Sequence, residues 1–201
     1  MSSTFDIAVV RYPHAADLGE FAPLARVPGV SLLYAATRGQ LHDAECIVLP
    51  GTTDAGADLA WLRAQGLDSA VALHAQARRP VLGLGAGMQL LGEALIDPRA
   101  IAGNAPGLGL LHIVSLVEAE TPATPVQLSF GTVTGHWAPL SGMSAAAFEL
   151  HQGRSVQHAG MAPARAVLAG GLGWQNQEGN VLGLAVRGVF DDGAILGALF
   201  G

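Results

Sequence analysis

The sequence predicts an α/β sandwich on a mostly parallel sheet, and three observations carry that expectation. Short apolar, β-branched runs alternate with helix-length amphipathic stretches through the first half, as a sheet buried on both faces requires. Pro80 to Gly92 (PVLGLGAGMQLLG) reads as a buried strand turning sharply through small residues into a helix. After Gly107 the helical periodicity gives way to strands separated by glycine, proline and polar turns. The second half is therefore β-rich and is expected to finish the same sheet.

In chain order, Asp6–Arg11 (DIAVVR) is the opening strand, and a loop from Pro13 leads to a short helix around Phe21–Ala25, stopped at Pro28-Gly29. Ser31–Ala36 and Glu45–Leu49 are the next strands, the latter ending at Pro50-Gly51-Thr52-Thr53. Asp54 caps a helix carrying Leu59, Trp61 and Leu62, and Leu67–Ala77 is a second helix. Val81–Leu84 then enters the glycine turn. Strands follow at Leu108–Val117, Val126–Val133, Ala147–His151, Ala166–Gln175 and Val181–Val186, with Glu178-Gly179-Asn180 turning between the last two. Asp191-Asp192 caps a final helix, Ala194–Phe200.

Composition removes several function classes. Half the residues are hydrophobic and 13% charged, which excludes a disordered chain. All ten basic residues are arginine, and the net charge of −6 is spread without runs, so neither a nucleic-acid footprint nor a membrane-binding face is expected. No apolar run is long enough to span a bilayer, the N-terminus lacks a signal-peptide layout, and the single cysteine, Cys46, allows no internal disulfide. A cytoplasmic protein with one domain over residues 1–201 is the expectation. The seven histidines are scattered without metal-ligand spacing. A dinucleotide fingerprint would need glycine where Met88 stands. No cofactor and no metal are expected.

The strand-turn-helix at Val81–Leu91 has the form of a nucleophile elbow, in which a residue in a strained conformation holds its side chain above a helix N-terminus. The apex position is Gly85, which has no side chain. The same stretch, with IAVVRYPH (Ile7–His14), LPGTTDAGADLAWLRAQGLD (Leu49–Asp68), APGLGLL (Ala105–Leu111), FELHQGRS (Phe148–Ser155) and RGVFDD (Arg187–Asp192), resembles the class I glutamine amidotransferase domain of the cobyric acid synthase and cobyrinic acid a,c-diamide synthase type. The resemblance runs nearly end to end. It implies a three-layer, flavodoxin-like sandwich and a glutaminase site in which a cysteine thiolate attacks the glutamine amide, a histidine serves as its base, and two backbone N–H groups hold the oxyanion.

Laid on this chain, the family's Gly-x-Cys-Gly-Gly-x-Gln falls on Gly83 to Gln89, with Gly85 at the cysteine. The family's Leu-His-Gly-Leu-Phe-Asp falls on Val186 to Asp191, with Arg187 at the histidine. Both reacting groups are replaced, so the resemblance implies no catalytic residue here. Cys46 reads as a core residue, and Thr52, Thr53 and Ser155 lack an adjacent base other than His151, which the resemblance places in the pocket wall. The other family positions are kept: Gly51 at the oxyanion glycine, Arg154 at the arginine that grips the glutamine α-carboxylate, and Gln89, Glu149 and His151.

Two readings of these residues stand open. In one, Arg187 and Arg154 converge with the N-terminus of a Gly87–Leu95 helix to hold a small carboxylate or other anion. In the other, Glu149 pairs with Arg154, Arg187 pairs with Asp191 or Asp192, and the residues only hold the fold. The expected function is a non-catalytic, glutamine amidotransferase-like binding, regulatory or scaffolding subunit. Active members of the family feed ammonia to an ATP-dependent synthetase domain that amidates a corrin ring or a cell-wall intermediate. This sequence carries no P-loop, so a protein partner is implied, either synthetase-like or a second copy. The alternative is an amidotransferase subunit for corrin amidation, working with external ammonia or a surrogate nucleophile.

Overall fold

The computed structural model describes residues 4–101 and 103–200; of the side chains of Glu120, Thr121, Leu150, His151 and Gln152 nothing is said. In chain order the strands are β1 (Phe5–Val10), β2 (Val30–Ala35), β3 (Cys46–Leu49), β4 (Val81–Leu84), β5 (Ala94–Ile96), β6 (Ala105–Pro106), β7 (Val114–Ser129), β8 (Ser144–Val156), β9 (Arg165–Leu168), β10 (Gly173–Gln175), β11 (Val181–Leu184) and β12 (Val186–Arg187). The α-helices are α1 (Arg38–His42), α2 (Ala55–Ala64), α3 (Leu67–Gln76), α4 (Ala86–Leu91) and α5 (Gly193–Phe200). The main sheet has seven strands in the order β2-β1-β3-β4-β11-β10-β9. Its first five strands pair in parallel, while β10 runs antiparallel to both neighbours.

Alternate side chains of the central strands serve two cores. Ile7, Val9, Cys46, Val48, Leu82, Leu84, Leu182 and Leu184 face one layer, with Phe21, Trp137, Phe190 and Ile195. Ala8, Val10, Ile47, Leu49, Val81 and Val181 face the other, with Leu59, Leu62, Leu67, Val71, Leu90 and Leu91 of α2 to α4. That two-sided burial explains the unbroken apolar strands of the first half. Asp54 accepts the Ala57 N–H at 2.9 Å to start α2, and Asp192 accepts the Ala194 N–H at 2.8 Å to start α5, as their sequences imply. Among the described residues no helix is long and apolar enough to cross a membrane.

The β-rich half departs from expectation in a specific way. Only β9, β10 and β11 complete the main sheet; β12, β8, β7, β5 and β6 form a second, five-stranded sheet. Residues 108–111 are not a strand. Their N–H groups go to the carbonyls of Leu90, Gly92 and Leu91, closing the end of α4, so pairing starts only at Val114. The stretch 166–175 is broken in two by Gly170 and Gly171, both left-handed (φ 67° and 78°). In place of a helix at 21–25 there are single 3-10 turns at Leu18–Phe21 and Leu24–Arg26. The elbow helix stops at Leu91, since Gly92 is extended.

Candidate active site

The elbow is present, and its apex is Gly85. Its φ of 55° and ψ of −126° lie in the region of the first central residue of a type II′ turn, which a side-chain-bearing residue enters only at a cost of about 1–3 kcal/mol. The Gly85 N–H donates to the Leu184 carbonyl at 2.8 Å, tying the apex to the end of β11, and the Gly85 carbonyl accepts the Met88 N–H at 3.1 Å. Gly87 lets the first turn of α4 lie against the end of β3: a Cβ there would strike the carbonyl oxygens of Leu49 and Pro50. That contact brings the Pro50-Gly51 corner beside the apex. Gly51 is buried, and its carbonyl accepts the Ala16 N–H at 2.8 Å.

A buried polar network fixes this corner. Asp58, fully buried on α2, accepts Thr52 Oγ1–H at 2.6 Å and, on its other oxygen, His14 Nδ1–H at 2.9 Å and the His14 N–H at 3.2 Å. The Thr53 N–H returns to the His14 carbonyl at 3.1 Å, and the Tyr12 hydroxyl donates to the Pro50 carbonyl. Tyr12 is buried, and burial, then the Asp58 and Glu20 carboxylates, push its hydroxyl well above the usual tyrosine range. The Thr52 hydroxyl also accepts the Asp54 N–H at 3.0 Å, so it is held from both sides within this corner. Ser155 is likewise engaged, its hydroxyl 2.7 Å from that of Ser115 in the β7–β8 ladder.

Arg187, expected from the family resemblance at the histidine position, is engaged by neighbours on β8 and in the loop after β1. Arg187 lies opposite Phe148 on β8, with its guanidinium 5.8 Å from that ring's centroid and Nη1 3.4 Å from Asp17 Oδ2. The expected ion pair with Asp191 or Asp192 is thus replaced by one with Asp17. Arg154 is exposed, six positions further along β8 and opposite Leu116. Gln89 is buried, and Gly153 packs on it: a Cβ on Gly153 would come within 3.2 Å of Gln89 Nε2. Glu149 opposes both Thr124 and Val186. His151 occupies β8 opposite Thr121, and its side chain lies outside the described residues.

Sequence reasoning passed over Glu20. Its Oε2 accepts the Gly188 N–H at 3.3 Å, joining the loop after β1 to the turn after β12. Burial, aided by the Asp17 and Asp191 carboxylates and opposed by the Gly188 N–H and Arg187, raises its carboxyl to about 7. The acidic pair Asp17 and Glu20 in a loop flanked by Phe21 was the available signal. Asp58 was legible too, as a carboxylate at a core-facing position of an otherwise apolar helix stripe. Cys46 is buried within β3, where burial raises its thiol beyond the usual range. Among the described residues no group of three His, Cys, Asp or Glu could hold a metal ion.

With this geometry in place, residues 6–195 match the family described as the CobB/CobQ-like glutamine amidotransferase domain. The chain is 50% identical over 199 residues to a cobyric acid synthase of Polaromonas sp. (strain JS666 / ATCC BAA-500), covering 97% of this chain and 39% of that protein. It is 51% identical over 199 residues to a cobyric acid synthase of Variovorax paradoxus (strain S110), covering 98% and 42%. The chain thus spans about two fifths of the length of these curated relatives. In fold it is similar to the PurLQS structure from Thermotoga maritima, with a TM-score of 0.70 and 19% identity over 99% of this chain and 98% of that one.

Proposed function

Because the chain belongs to the CobB/CobQ-like glutamine amidotransferase family, we propose that it is a member that has lost glutaminase chemistry and acts as a binding or regulatory subunit. The observation that carries this reading is the elbow itself: the strained apex is occupied by Gly85, which presents no nucleophile. The base position supports it, since Arg187 brings no imidazole there and its guanidinium is held by Asp17 and Phe148. Two of the hydroxyls that could substitute, those of Thr52 and Ser155, are already hydrogen-bonded within the fold. In this reading Gly51, Gln89 and Arg154 are the residues through which a small carboxylate would be held, and a synthetase-like protein is the natural partner.

A second reading rests on the half-identity to cobyric acid synthases: an amidotransferase subunit for corrin amidation that still releases ammonia from glutamine through a surrogate nucleophile. Glutamate release from glutamine separates the two. The unmodified protein is expected to release none, and Gly85→Cys combined with Arg187→His to restore measurable release. Glutaminase activity in the unmodified protein would overturn the proposal. The cysteine variant is expected to be less stable by about 1–3 kcal/mol, because the side chain must adopt the strained apex conformation.

A further inference from the structure

The groove between α1 and α3 lies away from the elbow. α3 buries Leu67, Val71 and Ala75 against the sheet at i, i+4 and i+8. A second apolar row, Ala70, Leu73 and Ala77, is turned outward and lines a groove of about 460 Å³. Leu73 is 60% exposed, more than any other exposed large apolar side chain among the described residues. The facing wall is open and small: a Cβ on Gly39 would meet nothing within 4 Å. Ala70 packs partly against the core, while Leu73 and Ala77 are exposed, and solvation of that aliphatic surface costs free energy that a partner would recover.

Charge narrows the partner. The chain carries 16 acidic and 10 basic residues, yet the groove is lined by Arg38 and Arg79 and by no carboxylate. His74 adds no charge, since burial and then Arg79 lower its imidazole to about 4. The two arginines share the groove with Leu41, Ala70, Leu73 and Ala77, a mixed lining that suits an amphipathic surface. We propose that this groove docks an acidic amphipathic helix of a partner protein, its aliphatic face over Leu73 and its carboxylates on Arg38 and Arg79. In the relatives the matched region makes up only 39–42% of a longer protein, so there it is joined to further protein mass. The groove's role is independent of whether the elbow turns over glutamine.

The test uses two short fluorescein-labelled helical peptides with the same leucine face, one bearing glutamates and the other lysines on the polar face. By anisotropy the glutamate peptide is expected to bind at least about tenfold more tightly than the lysine peptide. Leu73→Glu and Arg38→Glu, both at exposed side chains, are each expected to weaken it about tenfold or more with the melting temperature unchanged. Equal affinity for the two peptides, or binding that survives both substitutions, would overturn the proposal. So would a dimer in sedimentation that Leu73→Glu dissociates, because a second copy would then fill the groove.

Discussion

Gly183 on β11 lies directly opposite Gly83 on β4, and together they form the flat seat on which α4 rests. A Cβ on Gly83 would come within 2.6 Å of both the Gly87 carbonyl oxygen and Leu91 Cδ1, and the backbone oxygen cannot move aside. A Cβ on Gly183 would meet the side chains of Met88 and Leu111, which can re-pack. Gly83→Ala is therefore expected to cost more than Gly183→Ala, about 3 kcal/mol against about 1 kcal/mol in urea unfolding. Equal losses would show that α4 shifts as a body.

Asp58 holds the Gly51 corner through three donors. Asp58→Asn keeps the size but sets an amide NH2 against at least one of them, and the Thr52 hydroxyl it serves is buried. A loss of about 1–3 kcal/mol is expected by chemical denaturation.

The Glu20 carboxyl, raised from its ordinary 4.5 to about 7, gives stability a definite pH slope. Between these values the folded protein holds a proton that the unfolded chain has released. Stability therefore falls as pH rises from 4.5 through about 7 and is level above. Glu20→Gln still offers an acceptor to Gly188 and removes the slope. It is expected to be more stable than the unmodified protein by about 1–3 kcal/mol near pH 8, and equal near pH 4. Parallel stability curves for the two proteins would contradict the burial of this group.

Cys46 is 1% exposed, and its thiol is held protonated by burial. Ellman's reagent is expected to find no reactive thiol in the native protein and one after unfolding in urea. Rapid labelling under native conditions would revive it as a nucleophile.

The first half was legible because its inner strands β1, β3 and β4 are largely buried on both faces, so hydrophobic runs mark them within a residue or so: Val81–Leu84 is found where it was expected, and Phe5–Val10 stands for Asp6–Arg11. The second half was harder. An apolar run such as Leu108–Leu111 has the composition of a strand, yet its N–H groups satisfy the end of α4, a tertiary use that no local pattern announces. α1 went unseen because five residues show no period, and its start rests on Gln40, whose Oε1 accepts the N–H groups of Ala36 and Thr37. At the candidate site, the sharp apex at Gly85 follows from the strand-turn-helix pattern. Arg187's partner does not, since Asp17 is remote in sequence and reaches it only through the folded loop after β1.

The strand order also governs when the molecule can take shape during synthesis. β4 gains its second neighbour only from residues 181–184, made long after β4 itself, and Val81 pairs with Val181. Until those residues leave the ribosome, a central strand presents an unpaired backbone edge and an apolar surface to anything nearby. The sheet cannot close vectorially, so a nascent chain truncated before residue 181 is a ready client for a chaperone and a ready seed for aggregation.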